Sequence, residues 1–193
     1  MIGHKNHPEV EGTLGRFPKD SRGNMYLVEN LSQAENIEIN QPENLCLVTQ
    51  TTLSVSDTEE IVLKLKERFP LILEPKSEDI CYATQNRQDA VKQLALESDL
   101  IIVVGSENSS YSNRLRELAE NCGVESFLID DPEKISSLNL DNINVMGITA
   151  GASAPEELVQ QMVQKCNLLG YKVSEEISGL QEEVYFKLPA ELR

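Results

Sequence analysis

The feature that most constrains the fold is a run of five consecutive aliphatic residues, Leu100–Val104 (LIIVV). Its β-branched content favours a strand. An unbroken apolar run, in place of an alternating one, is typical of a parallel strand whose two faces are both covered by helices. The run therefore predicts a parallel sheet at the centre of an α/β layer structure.

Other apolar segments have the length of strands. They are Leu45–Thr49, Leu71–Leu73, Glu125–Ile129 and Asn144–Thr149. They alternate along the chain with segments whose apolar residues recur at helical spacing. This alternation predicts an α/β chain with mostly parallel sheets.

Helix boundaries are indicated by capping residues. Ser56 with Glu59 is expected to form a capping box for a helix over Asp57–Phe69, and Asn86 is the expected cap of the next helix. Gly123 and Gly170 are expected to end two later helices, and Pro155 is expected at the first position of the last one.

The polar stretch Glu74–Asp79 predicts a domain boundary. We therefore divide the chain into two small three-layer α/β domains, 1–77 and 78–165, followed by a C-terminal tail, 166–193. Alternation in Val184–Leu188 (VYFKL) indicates an edge strand or an arm that docks elsewhere.

Charge and composition exclude several classes of protein. The 17 Lys and Arg residues against 32 Asp and Glu residues give a net charge of −15, which disfavours nucleic-acid and anionic-membrane partners. No run reaches the roughly 20 apolar residues of a membrane helix, and no secretion signal is visible. The 4 cysteines are widely spaced without CxxC pairs, as expected of a reducing cytoplasm.

Three turns combine hydroxyl groups or glycine with the start of a helix. They are Thr49–Thr52, Ser106–Ser112 and Thr149–Ser153, each following a predicted strand. Ligands of parallel α/β sheets bind beyond the carboxyl ends of the strands, and helix N-termini favour anions. The turns therefore indicate a site for a small phosphate or diphosphate, although helix capping alone also explains the Ser and Thr residues. No dinucleotide or P-loop fingerprint accompanies them.

The two histidines, His4 and His7, lie three positions apart in GHKNHPEVEG with Glu9 close by. Histidine can bind an anion or transfer protons, and a neighbouring carboxylate can act as acid or base. A polar surface loop is the alternative interpretation of this segment.

The four cysteines differ in their surroundings. Cys46, Cys122 and Cys166 lie in apolar segments and are expected to be small core residues. Cys81 lies between the polar boundary and a helix, a placement that suits a reactive or metal-bound thiolate. One cysteine cannot hold an iron–sulfur cluster by itself.

Five ordered segments together resemble the signature stretches of the 4-hydroxy-3-methylbut-2-enyl diphosphate reductase (LytB) family. They are HPEVEGT, TQTTLS, DICYATQNRQ, VGSENSSYSNRL and GITAGASAPE, and the resemblance extends over essentially all 193 residues. It implies an oxidoreductase of three α/β domains. The implied reaction is the reductive dehydroxylation of 4-hydroxy-3-methylbut-2-enyl diphosphate to isopentenyl and dimethylallyl diphosphate, the last step of the non-mevalonate isoprenoid pathway.

The resemblance also implies a cofactor and partners. The family's iron–sulfur cluster (4Fe-4S) is held by three cysteines, one from each domain, and Cys81 matches the third. Cys46, Cys122 and Cys166 do not match the other two positions. Electrons are expected from ferredoxin or flavodoxin, and the other partner is the isoprenoid diphosphate substrate.

The family's site residues carry over one at a time. Glu9 matches the proton donor, and Thr51 matches a threonine near the substrate hydroxyl. Residues that match diphosphate ligands are His7, Ser109, Ser110 and Ser153. Tyr111 stands where the family usually has a further diphosphate ligand, Asn.

The resemblance leads us to expect a chain without the family's N-terminal domain, and therefore without two cluster cysteines and two substrate histidines. On this interpretation the 193 residues are an incomplete and inactive portion of the reductase. A non-enzymatic diphosphate-binding remnant or interaction module is the alternative. A third hypothesis is an unrelated α/β enzyme that uses Cys81 as a nucleophile on a phosphorylated metabolite.

Overall fold

The computed structural model describes residues 1–18, 23–75, 79–174, 176–177 and 188–192. The regular elements are α1 Pro8–Arg16, α2 Leu31–Asn36, α3 Val55–Arg68, α4 Tyr82–Ala95, β1 Leu100–Val104, α5 Ser110–Asn121, β2 Glu125–Ile129, β3 Met146–Ala150 and α6 Glu156–Leu168. Short 3-10 turns lie at Pro42–Asn44, Pro132–Ser137 and Ala190–Leu192. Most of the VYFKL segment and the centre of the expected boundary lie outside the described residues.

The second half of the chain is built on a three-stranded parallel sheet in the order β2-β1-β3. All five residues of β1 are buried, which confirms the interpretation of the LIIVV run. Ile102 and Val104 pack in one core cluster with Met162 of α6, whereas Ile101 and Val103 pack on the opposite face with Leu115 of α5. The three-layer α/β arrangement is therefore confirmed for this half.

The first half contains extended segments joined by isolated parallel bridges. Ile2 pairs with Val28 and with Thr49, and Cys46 pairs with Leu73. Leu45–Thr49 is thus parallel and extended as predicted, but its pairing in the described residues is limited to these bridges. Helices α2 and α3 pack on it through a core cluster whose members include Ile2, Val28, Ala34, Leu47, Leu53, Ile61 and Leu65.

Two predicted helix starts are wrong. Helix α3 begins at Val55, and its cap is Ser54, whose side chain accepts a hydrogen bond from the Asp57 N–H, so the Ser56–Glu59 capping box is not formed. Helix α4 begins at Tyr82 with Cys81 as its N-cap, one turn before Asn86. The Cys81 carbonyl accepts from the N–H groups of residues 84 and 85, which starts the helix early.

The starts of β3 and α6 also differ from the predicted positions. Strand β3 begins at Met146 because the N–H groups of Asn144 and Val145 donate to the Asp99 carboxylate at 2.8 and 2.9 Å. Pro155 is the N-cap of α6 and not its first helical residue. The predicted ends of α5 and α6 are confirmed, since Gly123 and Gly170 adopt φ values of +85° and +100°.

Two cysteines predicted to lie in the core are exposed. Cys46 is exposed because side chains of an extended segment alternate, and its neighbour Leu47 occupies the buried side. Cys122 is the C-cap of α5, beyond the last buried turn. Cys166 is buried as expected, and burial raises the pKa of its thiol.

The division into 1–77, 78–165 and a tail stays a prediction. Helix α6 extends from Glu156 to Leu168 and so crosses position 165. Cys166 and Tyr171 pack against the core of the three-stranded sheet.

Candidate functional site

Glu9 and Thr51 are in direct contact. Glu9 lies in the first turn of α1, and its carboxylate accepts hydrogen bonds from the Thr51 N–H at 2.8 Å and from the Thr51 hydroxyl at 2.9 and 3.0 Å. His7 caps the same helix, with its Nδ1 accepting from the Glu9 N–H at 3.3 Å. The structure therefore brings Thr51 into contact with the segment of His7 and Glu9, which the sequence analysis selected independently of it.

Cys81 joins this group through the backbone. Its N–H donates to the Thr51 carbonyl at 3.1 Å, and its side chain is exposed at the start of α4. Two residues earlier, the Asp79 carboxylate accepts from the Thr49 N–H at 2.8 Å. Thr51 thus lies between the carboxylate of Glu9 and the thiol-bearing residue.

A buried amide organises the loop before α1. Gln50 is 1% exposed, and its Oε1 accepts from the His4 N–H at 3.0 Å while its Nε2 donates to the Thr52 hydroxyl at 2.9 Å. Gly3 packs closely here, since a Cβ at this position would lie 2.6 Å from Cγ2 of Val10. Sequence reasoning did not find Gln50, because a glutamine after a strand carries no signal of burial.

The serines of the second half lie at helix starts. Ser109 is the N-cap of α5, where its Oγ accepts from the Ser112 N–H at 3.2 Å. Ser110 opens the same helix and is exposed. Ser153 is also exposed and precedes the N-cap of α6, which makes no side-chain capping bond. Capping therefore accounts for Ser109 but leaves the Ser153 hydroxyl without a capping role.

Ser112 is the point where two glycine turns meet α5. It is 1% exposed, and its hydroxyl lies 3.1 Å from that of Ser109. A Cβ added at Gly105 or at Gly151 would overlap the Ser112 Oγ. The close approach of these backbones sets the spacing between the turn after β1 and the turn after β3.

The N-terminus of α4 lies at the same edge as these turns. Leu94, near the end of α4, packs beside Gly147 in the first half of β3, whereas Arg87 reaches the carbonyl of Ala150 at its carboxyl end. Helix α4 therefore runs antiparallel to β3. This orientation puts Cys81 at the carboxyl edge of the three-stranded sheet.

Hydrogen bonds connect the two halves of the chain across this edge. Gln88 of α4 is 1% exposed, and its amide donates to the Leu53 carbonyl at 2.8 Å and accepts from the Val55 N–H at 3.0 Å. Arg114 of α5 contacts the His4 ring at Nε2. Burial and the Arg114 guanidinium lower the pKa of His4, which favours the neutral ring that can accept from arginine.

Tyr111 faces helix α4. Its hydroxyl donates to the Ala83 carbonyl at 3.2 Å and lies 3.5 Å from the Thr84 carbonyl, in the first turn of α4. The ring packs against the core cluster that contains Val91 and Leu115. Tyr111 therefore links the helix that carries Ser109 to the helix that carries Cys81.

A complete iron–sulfur ligand set is not present in the part of the chain that the structure describes. No group of three His, Cys, Asp or Glu side chains is placed there to hold a metal ion. Iron–sulfur clusters require several thiolates or equivalent ligands. Cys81 alone does not meet this requirement.

None of the helices built from described residues combines the length and apolar character needed to span a bilayer.

The family model described as LytB protein matches residues 1–167. The chain belongs to the LytB family. It is 53% identical over 193 residues to the 4-hydroxy-3-methylbut-2-enyl diphosphate reductases of Chromohalobacter salexigens and Alcanivorax borkumensis. The alignments cover 100% of this chain but 61% and 62% of those proteins, so the chain spans about three fifths of their length.

A solved structure agrees with this membership. The E-1-hydroxy-2-methyl-but-2-enyl-4-diphosphate reductase from Plasmodium falciparum superposes with a TM-score of 0.78 at 38% identity. The match covers 88% of this chain and 51% of that one. The α/β arrangement described above is therefore similar to the fold of about half of that reductase.

Proposed function

We propose that this LytB chain is the part of a 4-hydroxy-3-methylbut-2-enyl diphosphate reductase that binds the substrate diphosphate and carries the carboxyl group that delivers a proton to the substrate. The observation that carries the proposal is the hydrogen-bonded group formed by Glu9, Thr51 and Cys81. In the reaction, the allylic C–O bond breaks, and two electrons and two protons are taken up. The products are water and isopentenyl or dimethylallyl diphosphate.

The site residues divide into those that act on the leaving hydroxyl and those that bind the diphosphate. Glu9 donates the proton that converts the leaving hydroxyl into water, and the Thr51 hydroxyl orients both groups. The diphosphate is held by hydrogen-bond donors of His7, Ser109, Ser110 and Ser153 together with helix N-termini. Charge-assisted hydrogen bonds of this kind are about twice as strong as neutral ones.

The redox part of the proposal rests on one residue of this chain. The Cys81 sulfur would be one ligand of the family's 4Fe-4S cluster, and that cluster would supply the electrons. The remaining ligands are proposed to come from outside residues 1–193. Ferredoxin or flavodoxin is the proposed electron donor, and the cytoplasm is the proposed compartment.

Titration of the 193-residue chain with an isoprenoid diphosphate, in the absence of iron, tests the anion site. Ser153→Ala should weaken binding by about ten- to a hundredfold, because a hydrogen bond to a charged group contributes about 1.5–3 kcal/mol. Ser136→Ala, an exposed serine in the turn Pro132–Ser137, is the matched control and should bind as the wild type does. No binding by a wild-type chain that circular dichroism shows to be folded would overturn the proposal.

A non-enzymatic diphosphate-binding module is the second candidate, favoured because no group of three His, Cys, Asp or Glu side chains within the described residues is placed to hold a metal ion. Reconstitution with iron and sulfide separates the two. We expect this chain alone to bind the isoprenoid diphosphate without reducing it. We expect reduction after addition of a polypeptide that supplies the other cluster cysteines. Full turnover by the 193 residues alone would disprove the ligand assignment.

A further inference from the structure

Arg87 brings a guanidinium to the carboxyl edge of the three-stranded sheet. It lies in the second turn of α4 and is half-buried. Its Nη1 donates to the carbonyl of Ala150, the last residue of β3, at 3.1 Å. Gly151 follows directly and begins the turn that carries Ser153. The guanidinium therefore lies beside the turn Thr149–Ser153, which has no Lys or Arg of its own.

The charge of Arg87 is not balanced by a carboxylate in the described structure. Arg114 and Arg116 of α5 form ion pairs with Glu117 and Glu120. No such pair includes Arg87 among the described residues. The chain has a net charge of −15, so a guanidinium without an ion-pair partner makes the electrostatic potential at this edge more positive than its surroundings. A more positive potential favours the approach of anions.

Arginine also has spare hydrogen-bonding capacity at this position. A guanidinium has five N–H donors, and the structure records one of them on Ala150. The donors form a planar fork that matches two phosphate oxygens. The hydroxyls and backbone N–H groups of the neighbouring turns carry no net charge, so they do not supply the full positive charge of a guanidinium.

We infer that Arg87 is the charged specificity determinant of the diphosphate site: it positions the turn after β3 through the Ala150 carbonyl and selects multiply charged anions. This inference rests on the proposed function, because it assigns the cation of that same site. It makes affinity depend on ionic strength and on ligand charge, which a purely structural arginine would not do.

Inorganic pyrophosphate, titrated calorimetrically into the 193-residue chain at two salt concentrations, is the direct test. Arg87→Gln should weaken binding at least tenfold and reduce the salt dependence. Arg87→Lys keeps the charge but loses the fork, so it should weaken binding by about two- to fivefold and retain the salt dependence. Arg116→Gln makes the same change in net charge at an arginine of α5 that is ion-paired with Glu120, and this variant should bind as the wild type does.

Chemical modification of the wild-type chain avoids any effect of substitution on folding. Phenylglyoxal modifies accessible arginines, and the modified peptides can be quantified by mass spectrometry. Pyrophosphate should slow modification of Arg87 severalfold without slowing that of Arg116. Equal rates at Arg87 with and without pyrophosphate, in a chain that binds it, would overturn the inference.

The outcomes distinguish this inference from the proposed function. If the folded wild-type chain binds no pyrophosphate or isoprenoid diphosphate, the proposed anion site is wrong. If the wild type binds, Ser153→Ala weakens binding and Arg87→Gln does not, the inference about Arg87 alone is wrong. Equal weakening by Arg87→Lys and Arg87→Gln, with equal loss of folding stability, would assign Arg87 a structural role and overturn the charge argument.

Discussion

Thr51 is the residue at which the candidate site is assembled. Its hydroxyl and N–H donate to Glu9, and its carbonyl accepts from the Cys81 N–H. A carboxylate and a thiol-bearing residue are therefore connected through a single residue that lies 42 positions from Glu9. Each of the three could be selected from the sequence, but their mutual contact could not.

His4 gives a residue-scale prediction about pH. Burial and Arg114 lower the pKa of His4 in the folded chain below its ordinary value of about 6.5. The folded state then binds its proton less readily than the unfolded state. The contribution of His4 is complete above pH 6.5 and should be lost as the pH falls through the lowered folded-state pKa.

Urea denaturation of the wild type and His4→Gln between pH 7.5 and 5 measures this contribution. Glutamine keeps polar atoms at the position but does not titrate. The difference in unfolding free energy between the two proteins should move against the wild type as the pH decreases below about 6.5. Parallel stability curves over this range would contradict the assignment.

At the scale of elements, the decisive packing is the junction of β1, β3 and α5. Gly105 and Gly151 approach Ser112 so closely that neither position has room for a Cβ. The glycines are thus explained by close backbone approach, since neither has a left-handed φ. This junction holds the turns that carry Ser109 and Ser153 at a common edge.

Gly151→Ala should destabilise the chain by about 1–3 kcal/mol, the usual cost of overpacking a filled site. Gly12→Ala is the matched control, because its Cβ would meet nothing within 4 Å on α1, and alanine should stabilise that helix by about 0.5–1 kcal/mol. Thermal or urea unfolding measures both changes.

A double-mutant cycle tests whether overlap with the Ser112 hydroxyl causes the destabilisation expected for Gly151→Ala. Ser112→Ala removes the Oγ that Gly151→Ala would overlap, so the two substitutions together should cost less than the sum of their separate effects. Additive costs would show that the strain arises elsewhere.

At the scale of the whole molecule, strong negative charge coexists with an exposed apolar edge. Leu71 and Leu73 are 68% and 64% exposed, and Leu73 has a backbone bridge to Cys46 on one side only among the described residues. Unpaired extended segments with apolar side chains favour association. A net charge of −15 opposes it at low ionic strength.

Self-association should therefore increase with salt, as screening weakens the repulsion between copies. Replacing Leu71 and Leu73 by serine should reduce it, whereas Leu168→Ser, at an 83% exposed position in α6, should not. Sedimentation velocity at low and high salt measures the effect. A monodisperse monomer under all conditions, or equal association of all variants, would contradict this explanation.

The sequence by itself determined the local elements and the family. β1, β2 and the ends of α5 and α6 follow from apolar patterns and glycines within a few residues, and ordered motifs identify LytB membership. Such features depend on neighbours along the chain, so they can be read without knowing the tertiary packing.

Only the tertiary structure decided which side chains meet and which are covered. Arg87 lies 63 positions from Ala150, and Arg114 lies 110 positions from His4, so neither pair has a local signal. Cys46 and Cys122 occur in apolar segments yet are exposed, because burial depends on which face another element covers. The candidate site has the same origin: the packing of distant segments brings Glu9, Thr51 and Cys81 together.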